Sequence, residues 1–212
     1  VEALRNLTDN DMIFSLAISE RCDISKIVSL AAIQMIKDQA VLAEVAKKSR
    51  ASLDVVEKIA DQALLADVAQ KAKSSEVRLA AAKKLTDKAL AQTIYADIAA
   101  NGYDYSQQEV EAVQLLTDQG LLTYVAKRGK ISSVRLHVAD KLTDKALAQT
   151  IYADLAMNGH TNCGVFGRHL DQALLADIAQ KACRAGSRLL AAERITDQKV
   201  LEKIALTDSD AE

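Results

Sequence analysis

The residues best suited to bind a metal lie close together between positions 160 and 169. His160, Cys163 and His169 carry imidazole and thiol groups, which are common zinc ligands in proteins. Their spacing, H-x2-C-x5-H, supplies three ligands, whereas a structural zinc site takes four. The pattern therefore favours a loop with incidental polar side chains, and the sequence predicts no metal and no cofactor.

Residues that could perform nucleophilic or acid–base catalysis form no familiar arrangement. The motifs G-x-S-x-G, H-E-x-x-H and G-x-x-x-x-G-K-[ST] do not occur in the sequence. Acid pairs such as Asp104 with Glu109 lie in predicted loop or capping contexts, whereas acid–base chemistry needs two carboxyls in unequal, partly buried environments. The lone His137 is expected at a helix surface or interface. We therefore expect a chain that is not an enzyme.

Charge and cysteine content narrow the classes of partner. The sequence has 27 Lys and Arg against 29 Asp and Glu, a net charge of −2, and it has no clustered basic stretch. Nucleic-acid and anionic-membrane binding would need such a stretch. The three cysteines form no C-x-x-C pair, which favours reduced thiols, and no apolar run approaches the roughly 18 residues of a membrane span. These features predict a cytoplasmic protein with no nucleic-acid partner and no membrane partner.

A sequence repeat must position every candidate residue. The stretch 84–99 returns at 141–156 with a single change, from Ile98 to Leu155. The Asp that opens each version recurs with a period of about 26 residues, at positions 9, 38, 61, 87, 118, 144, 171 and 197. Half of the residues are apolar and only 3 % are aromatic, which is typical of helices that pack through Ala, Leu, Val and Ile. We therefore predict one repeat domain, residues 1–212.

Each repeat contains two short segments with apolar residues at helical spacing, joined by a turn that carries the Asp. An Asp at this place caps the second helix and meets the positive end of its dipole. Where Thr precedes the Asp, as at Thr86 and Thr143, its hydroxyl is expected to accept a further hydrogen bond from the same helix. The Asp residues predicted to have this structural role are Asp61, Asp87, Asp118, Asp144, Asp171 and Asp197.

Three better-formed units also carry an Arg nine residues before the turn Asp, namely Arg78, Arg135 and Arg188. The combination of S-x-V-R-L-A-A, then L-T-D, then L-L-x-x-[VI]-A resembles a short form of the HEAT-type helical repeat. This resemblance implies an all-α fold, a right-handed α-α superhelix (solenoid) of about seven short antiparallel helix pairs with no β-sheet. It also implies that the three Arg side chains form a hydrogen-bond ladder with the turn Asp residues.

Two features depart from that family. The period is far below the roughly 40 to 47 residues of standard HEAT repeats, and the Arg position is occupied by other residues at 29, 52, 109 and 162. A shorter repeat with alternating α- and 3-10 helices is the structural alternative. Because 1–7 reads as the end of a helix and 204–212 stops where other units continue, we expect a piece of a longer repeat array.

The irregular units are where a binding site is expected. A four-residue insertion, about one helical turn, lengthens the second segments that begin at Lys88 and Lys145 and is expected to make these helices project. The loop after Asn101-Gly102 is predicted to display tyrosines before a Ser106–Glu109 capping box, and the glycine-rich segment 157–170 is predicted to have a weak or very short first helix. The candidate partner-binding residues are Tyr95, Tyr152, Tyr103, Tyr105 and Phe166. Alternatively, the first two of these tyrosines pack between adjacent repeats.

Three classes of function remain open. The first is a non-catalytic module or scaffold that binds a peptide or a protein on the repeat surface. The second is an enzyme on the same frame, because HEAT-like proteins include DNA glycosylases and bilin lyases. The third is a structural spacer within a larger protein. The balanced charge and the absence of Trp favour protein recognition over the enzyme.

Overall fold

The computed structural model describes residues 10–18, 23–48, 53–102, 107–158, 165–167 and 170–207. This part of the chain is all-helical and has no β-strand. Its α-helices are α1 (Asn10–Ala17), α2 (Asp23–Met35), α3 (Gln39–Lys48), α4 (Leu53–Lys58), α5 (Gln62–Lys71), α6 (Ser75–Lys84), α7 (Lys88–Asn101), α8 (Gln107–Leu115), α9 (Gln119–Arg128), α10 (Ser132–Lys141), α11 (Lys145–Met157), α12 (Gln172–Lys181), α13 (Ala185–Ala192) and α14 (Gln198–Thr207). We call the helices that precede a turn Asp first helices (α2, α4, α6, α8, α10 and α13) and those that follow one second helices.

A short 3-10 turn, Val165–Gly167, occupies the place where the first helix of the glycine-rich segment is predicted. Among the described residues of this segment, the element is a single 3-10 turn of three residues, which agrees with its glycine content. Gly is a poor helix former, because it loses more backbone entropy than other residues when it is fixed in a helix.

The turn Asp residues are the N-caps of the second helices. Each described carboxylate accepts a hydrogen bond from a backbone N–H two or three residues later, at 2.7 to 3.2 Å. The residues concerned are Asp38, Asp61, Asp87, Asp118, Asp144, Asp171 and Asp197; Asp9 lies outside the described residues. These bonds satisfy N–H groups that have no partner within the helix.

The preceding Thr has a different role from the predicted one. Thr86 does not cap α7; its N–H and its hydroxyl both donate to Gln62 Oε1 of the previous repeat, at 2.9 and 3.1 Å. Thr143 makes the same pair of bonds to Gln119. Asp alone is sufficient for the cap, so the Thr hydroxyl is available to bind the neighbouring unit.

A row of glutamines thus links successive turns, which the sequence analysis missed. Besides accepting from the Thr, Gln62 and Gln119 each donate Nε2–H to the carbonyl at the end of the next first helix, Lys84 or Lys141. Gln172 makes equivalent bonds with Thr196 and the Arg194 carbonyl. The sequence does indicate this row, because Gln directly follows the turn Asp in most units.

The Arg side chains also have partners other than those the resemblance implies. Arg78 pairs with Asp97 of α7 at 2.5 Å and donates Nε–H to the Ala69 carbonyl of α5 at 3.0 Å. Arg135 pairs with Asp154 of α11 at 2.6 Å. The described contacts of Arg78 and Arg135 are therefore with an Asp within the following second helix, whereas Arg188 donates to the Ala182 carbonyl at 3.1 Å.

Helices α7 and α11 contain 14 and 13 residues, whereas α5, α9 and α12 contain 10 each. The extra turn lies at their N-terminal ends. Gln92 is five residues after its turn Asp, yet it donates to the Leu115 carbonyl at 2.8 Å, the kind of contact that Gln62 makes. The part of the second helix that makes the same contacts in every unit begins at this Gln, so the inserted residues lie before it.

The chain divides into two compact units, Val1–Leu116 and Thr117–Glu212. In the first unit, the first helices α2, α4, α6 and α8 contact one another in chain order, and so do the second helices α1, α3, α5 and α7. Each first helix also packs on a second helix next to it in the chain. The first unit therefore has two layers of helices with an aliphatic core between them. In the second unit, α9 through α12 contact successively, and α12 packs on both α13 and α14.

Three polar side chains are buried among the described residues. Ser29 of α2 donates its hydroxyl to the Ala17 carbonyl at 2.6 Å. Glu109 of α8 is 1 % exposed and packs on Gly102, where an added Cβ would clash with the Glu109 Cγ. Ser187 of α13 is fully buried and its hydroxyl has no hydrogen-bond partner among the described residues. The corresponding positions in α6 and α10 are Val77 and Val134, both fully buried. A buried hydroxyl without a hydrogen-bond partner at a core valine position is destabilising.

Candidate partner-binding surface

The two tyrosines of the elongated helices lie inside the protein. Tyr95 and Tyr152 are each 7 % exposed, and the Tyr152 hydroxyl donates to Asp140 at 2.8 Å. Burial raises the pKa of the Tyr95 phenol above its usual value of 10.0, because the charged phenolate is poorly solvated there. Their rings are therefore not available to a partner in this conformation, and the alternative of packing between helices accounts for both.

The alignment at the Gln explains this burial. If α7 is aligned with α5 at Gln92 and Gln62, Tyr95 takes the place of Leu65, which is fully buried. A second helix buries that position whether it carries Leu or Tyr. The insertion thus lengthens the helix without turning this side chain outward.

Of the other predicted residues, the structure describes only Phe166. Phe166 lies in the 3-10 turn and is 5 % exposed. Tyr103 and Tyr105, and also His160, Cys163 and His169, lie outside the described residues. Within the described part of the chain, no group of three or more His, Cys, Asp or Glu side chains could hold a metal ion.

The structure instead forms a groove on the first-helix layer of the first unit, between α4, α6 and α8. Its volume is about 300 Å³. The groove is lined by Leu53 and Glu57 from α4, by Glu76, Leu79, Ala80, Lys83 and Lys84 from α6, and by Gln108 and Glu111 from α8. Leu53 is 40 % exposed, whereas Leu79 beside it is covered. The groove therefore offers apolar area between charged sides.

Ion pairs and hydrogen bonds hold the charged sides in place. Lys83 of α6 pairs with Glu111 of α8 at 2.5 Å. Lys84 donates to the carbonyls of Val56 and Glu57 at the end of α4, both at 2.8 Å, where a cation also suits the negative end of the helix dipole. These contacts fix the three helices relative to one another, so the groove is preformed.

Glu76 is the charged lining residue without an ion pair among the described residues. It is partly exposed and lies on the same side of α6 as Ala80, one turn later. Since Ala80 has a small side chain, it leaves room between α4 and α6 beside Leu53. The groove can thus receive an apolar side chain next to a cationic group.

One aromatic side chain is exposed in the described part of the chain, and it was not predicted. Tyr124 of α9 is 39 % exposed, and the Arg128 guanidinium lies over its ring, 5.7 Å from the centroid. It occupies the position that is Asp67 in α5 and Asp97 in α7, counted from the Gln. A Tyr at a position where other second helices carry an Asp could have indicated an exposed aromatic from the sequence.

None of the described helices is both long enough and apolar enough to cross a membrane. Comparison with protein-family models, with curated proteins and with solved structures gives no match for this chain.

Proposed function

We propose that the chain is a non-catalytic protein-interaction module whose groove between α4, α6 and α8 binds an amphipathic α-helix of a partner protein. The observation that carries this proposal is the 40 % exposure of Leu53 beside Leu79 and Ala80 in a groove with charged sides. Exposed apolar area bordered by polar groups is characteristic of interaction sites.

The architecture proposed with this function is a right-handed solenoid of about seven short antiparallel helix pairs. It is supported by the sequence period of about 26 residues and, within the first unit, by the contacts of each helix with its nearest neighbours in both layers. Stacked helix pairs present long grooves between the helices of one layer, and repeat proteins use such surfaces for recognition.

The spacing of the first helices favours a helical partner. Neighbouring packed helices lie about 8–10 Å apart, and an α-helix repeats its apolar face every seven residues, about 10.5 Å at 1.5 Å per residue. A partner helix lying across the layer would therefore place residues i and i+7 against successive first helices. One apolar residue would cover Leu53, and a Lys or Arg one turn away would pair with Glu76.

The test is affinity capture from the source cell's extract with three purified baits: the parent chain, Leu53→Glu and Leu206→Glu. Leu206 is an even more exposed leucine, in α14 of the other unit, so its variant controls for a new surface charge. We expect a partner that the parent and Leu206→Glu retain and that Leu53→Glu loses. Equal retention by all three baits would exclude the groove, and a chain that captures nothing would support the spacer function.

The captured partner then allows the mode of binding to be tested. Its minimal binding peptide should become helical on binding, as measured by circular dichroism, and should carry an apolar i, i+7 pair. A peptide that binds without gaining helicity would contradict the helical mode.

A further inference from the structure

Arg78 shows what the Arg of a first helix does in a regular unit. It donates Nε–H to the Ala69 carbonyl of the preceding second helix at 3.0 Å, and it pairs with the Asp97 carboxylate of the following second helix at 2.5 Å. Arg135 forms the same kind of ion pair with Asp154. In both units the acid is the fifth residue after the Gln of the second helix. The Arg of a regular unit thus holds one backbone carbonyl and one carboxylate.

The unit formed by α13 and α14 keeps the Arg but has a cation at the position of the acid. Arg188 donates to the Ala182 carbonyl at the end of α12, at 3.1 Å, which is the kind of bond that Arg78 makes to the helix before it. The fifth residue after Gln198 is Lys203. Arg188 is partly buried and Lys203 is exposed. Two cations therefore occupy the positions that hold an ion pair in the regular units.

An apolar cavity lies beside these cations. Helix α6 packs directly on α7, and α10 on α11, whereas α14 packs mainly on α12. The space between α13 and α14 is a cavity of about 310 Å³. Its apolar walls are Ala179 of α12, Ala185, Leu189 and Ala192 of α13, and Ile204 of α14, and Arg188 is the charged residue among those that line it. Lys203 directly precedes Ile204 in α14, so both cations lie next to the cavity.

The walls of the cavity leave room for a small apolar group. Gly186 also lines the cavity, and a Cβ added there would meet no atom within 4 Å. Leu189 is 61 % exposed, so burial of its side chain by a ligand would be favourable. A volume of about 310 Å³ is at the lower end of the range for small-molecule sites. The cavity thus offers apolar contact on its walls and positive charge beside them.

We propose that this cavity binds a small organic acid with an apolar tail, of the class of medium-chain fatty acids. The carboxylate of the ligand takes the place that Asp97 has beside Arg78, and it pairs with Arg188 and Lys203 while the tail lies against the apolar walls. A guanidinium has five N–H donors, so Arg188 can hold the Ala182 carbonyl and a carboxylate together. Hydrogen bonds between ionised groups are about twice as strong as neutral ones. This site is separate from the groove, which lies in the first unit.

The test uses octanoate as the probe, with acetate and 1-octanol as controls for the charge alone and the tail alone. Isotope-labelled full chain is titrated at pH 7, and the amide chemical shifts are followed by NMR. We expect saturable shifts at Gly186, Arg188 and Leu189 with octanoate, and at least about tenfold weaker binding of either control. A control that binds as tightly as octanoate, or the lack of saturable shifts in α13, would overturn the proposal.

The variant Lys203→Asp tests the comparison with the regular units. It removes a cation and adds a carboxylate that competes for Arg188, so octanoate should bind at least about tenfold more weakly. Lys199→Asp is the matched control, because Lys199 is also exposed in α14 and the change in net charge is the same. Its affinity for octanoate should stay within about twofold of the parent. Equal affinities of the two variants would overturn the site.

Urea unfolding separates a lost site from a lost fold. The Asp of Lys203→Asp can pair with Arg188 as Asp97 pairs with Arg78, so this variant should unfold at the same urea concentration as the parent or at a higher one. Weaker octanoate binding by a variant of undiminished stability would then come from the site itself. A lower unfolding midpoint for Lys203→Asp would contradict the placement of Lys203 beside Arg188.

Discussion

Replacing Gln119 by Ala should destabilise the second unit through three identified hydrogen bonds. Gln119 Nε2–H donates to the Lys141 carbonyl at 3.2 Å, and its Oε1 accepts from the Thr143 N–H at 2.9 Å and from the Thr143 hydroxyl at 3.1 Å. A net 0.5–1.5 kcal/mol per bond, near the lower end because water reaches this surface, predicts a loss of about 1–2 kcal/mol. The better helix propensity of Ala offsets only a few tenths.

Gln198 is the matched control, because it also directly follows a turn Asp but is exposed and makes no hydrogen bond to the described residues. Urea unfolding followed by circular dichroism should show Gln198→Ala within about 0.5 kcal/mol of the parent. Hydrogen exchange adds a local readout, since the Thr143 amide should exchange at least about tenfold faster in Gln119→Ala. Equal stability of the two variants, with unchanged exchange at Thr143, would refute the linking role of the glutamine row.

Three further perturbations follow from local packing and charge. Gly102→Ala should lower the unfolding free energy by about 1–3 kcal/mol in thermal melts, because the new methyl meets the buried glutamate of α8. Gly186→Ala is the control: it has open space around it and should be neutral or stabilising in the same measurement. Ser187→Val should raise the unfolding free energy by about 1–2 kcal/mol by removing an unpartnered buried hydroxyl; a lower melting temperature would contradict this. The ion pair with Lys47 lowers the pKa of the Asp67 carboxyl. At pH 7, Asp67→Asn should therefore lower the free energy of unfolding by about 0.2–1 kcal/mol, and this loss should shrink as the pH falls below about 4. A loss that persists at pH 2 would exclude the ion pair as its cause.

Much of the local structure could be predicted, because it depends on contacts close in sequence. The N-caps at residues such as Asp61 and Asp144 depend on one side chain and the next three amides. The extra turn of α7 follows from counting residues in the insertion. The short 3-10 turn at 165–167 in the glycine-rich segment follows from backbone entropy. Each of these features needs no knowledge of the neighbouring helices.

The orientation of Tyr95 was harder to predict, because it depends on which residue of the repeat fixes the register. If the repeats are aligned at the turn Asp, the tyrosine belongs to the inserted residues and has no counterpart in the other units. If they are aligned at Gln92, it occupies a core leucine position. The Gln makes the contact between repeats, so the structural register begins there. The hydrogen-bonding preference of Gln was in the sequence, but its partners lie more than 20 residues away.

The groove could not be read from the sequence, because it arises from the sizes of side chains on three helices. The small Ala80 leaves room beside Leu53, and the Lys83–Glu111 pair closes the space between α6 and α8. Position eight before the turn Asp is apolar in most units, yet its exposure ranges from 2 % at Leu79 to 61 % at Leu189. Only the arrangement of the neighbouring helices distinguishes these leucines.

The most direct test of the proposed function is a hydrogen-exchange footprint of the full chain with and without its captured partner. Binding in the groove should slow exchange in α4, α6 and α8, around Leu53 and Glu76, and leave α9 to α14 unchanged. The Leu53→Glu variant should show no such protection at the same partner concentration. Protection confined to the second unit, or equal protection in that variant, would contradict the groove as the binding site.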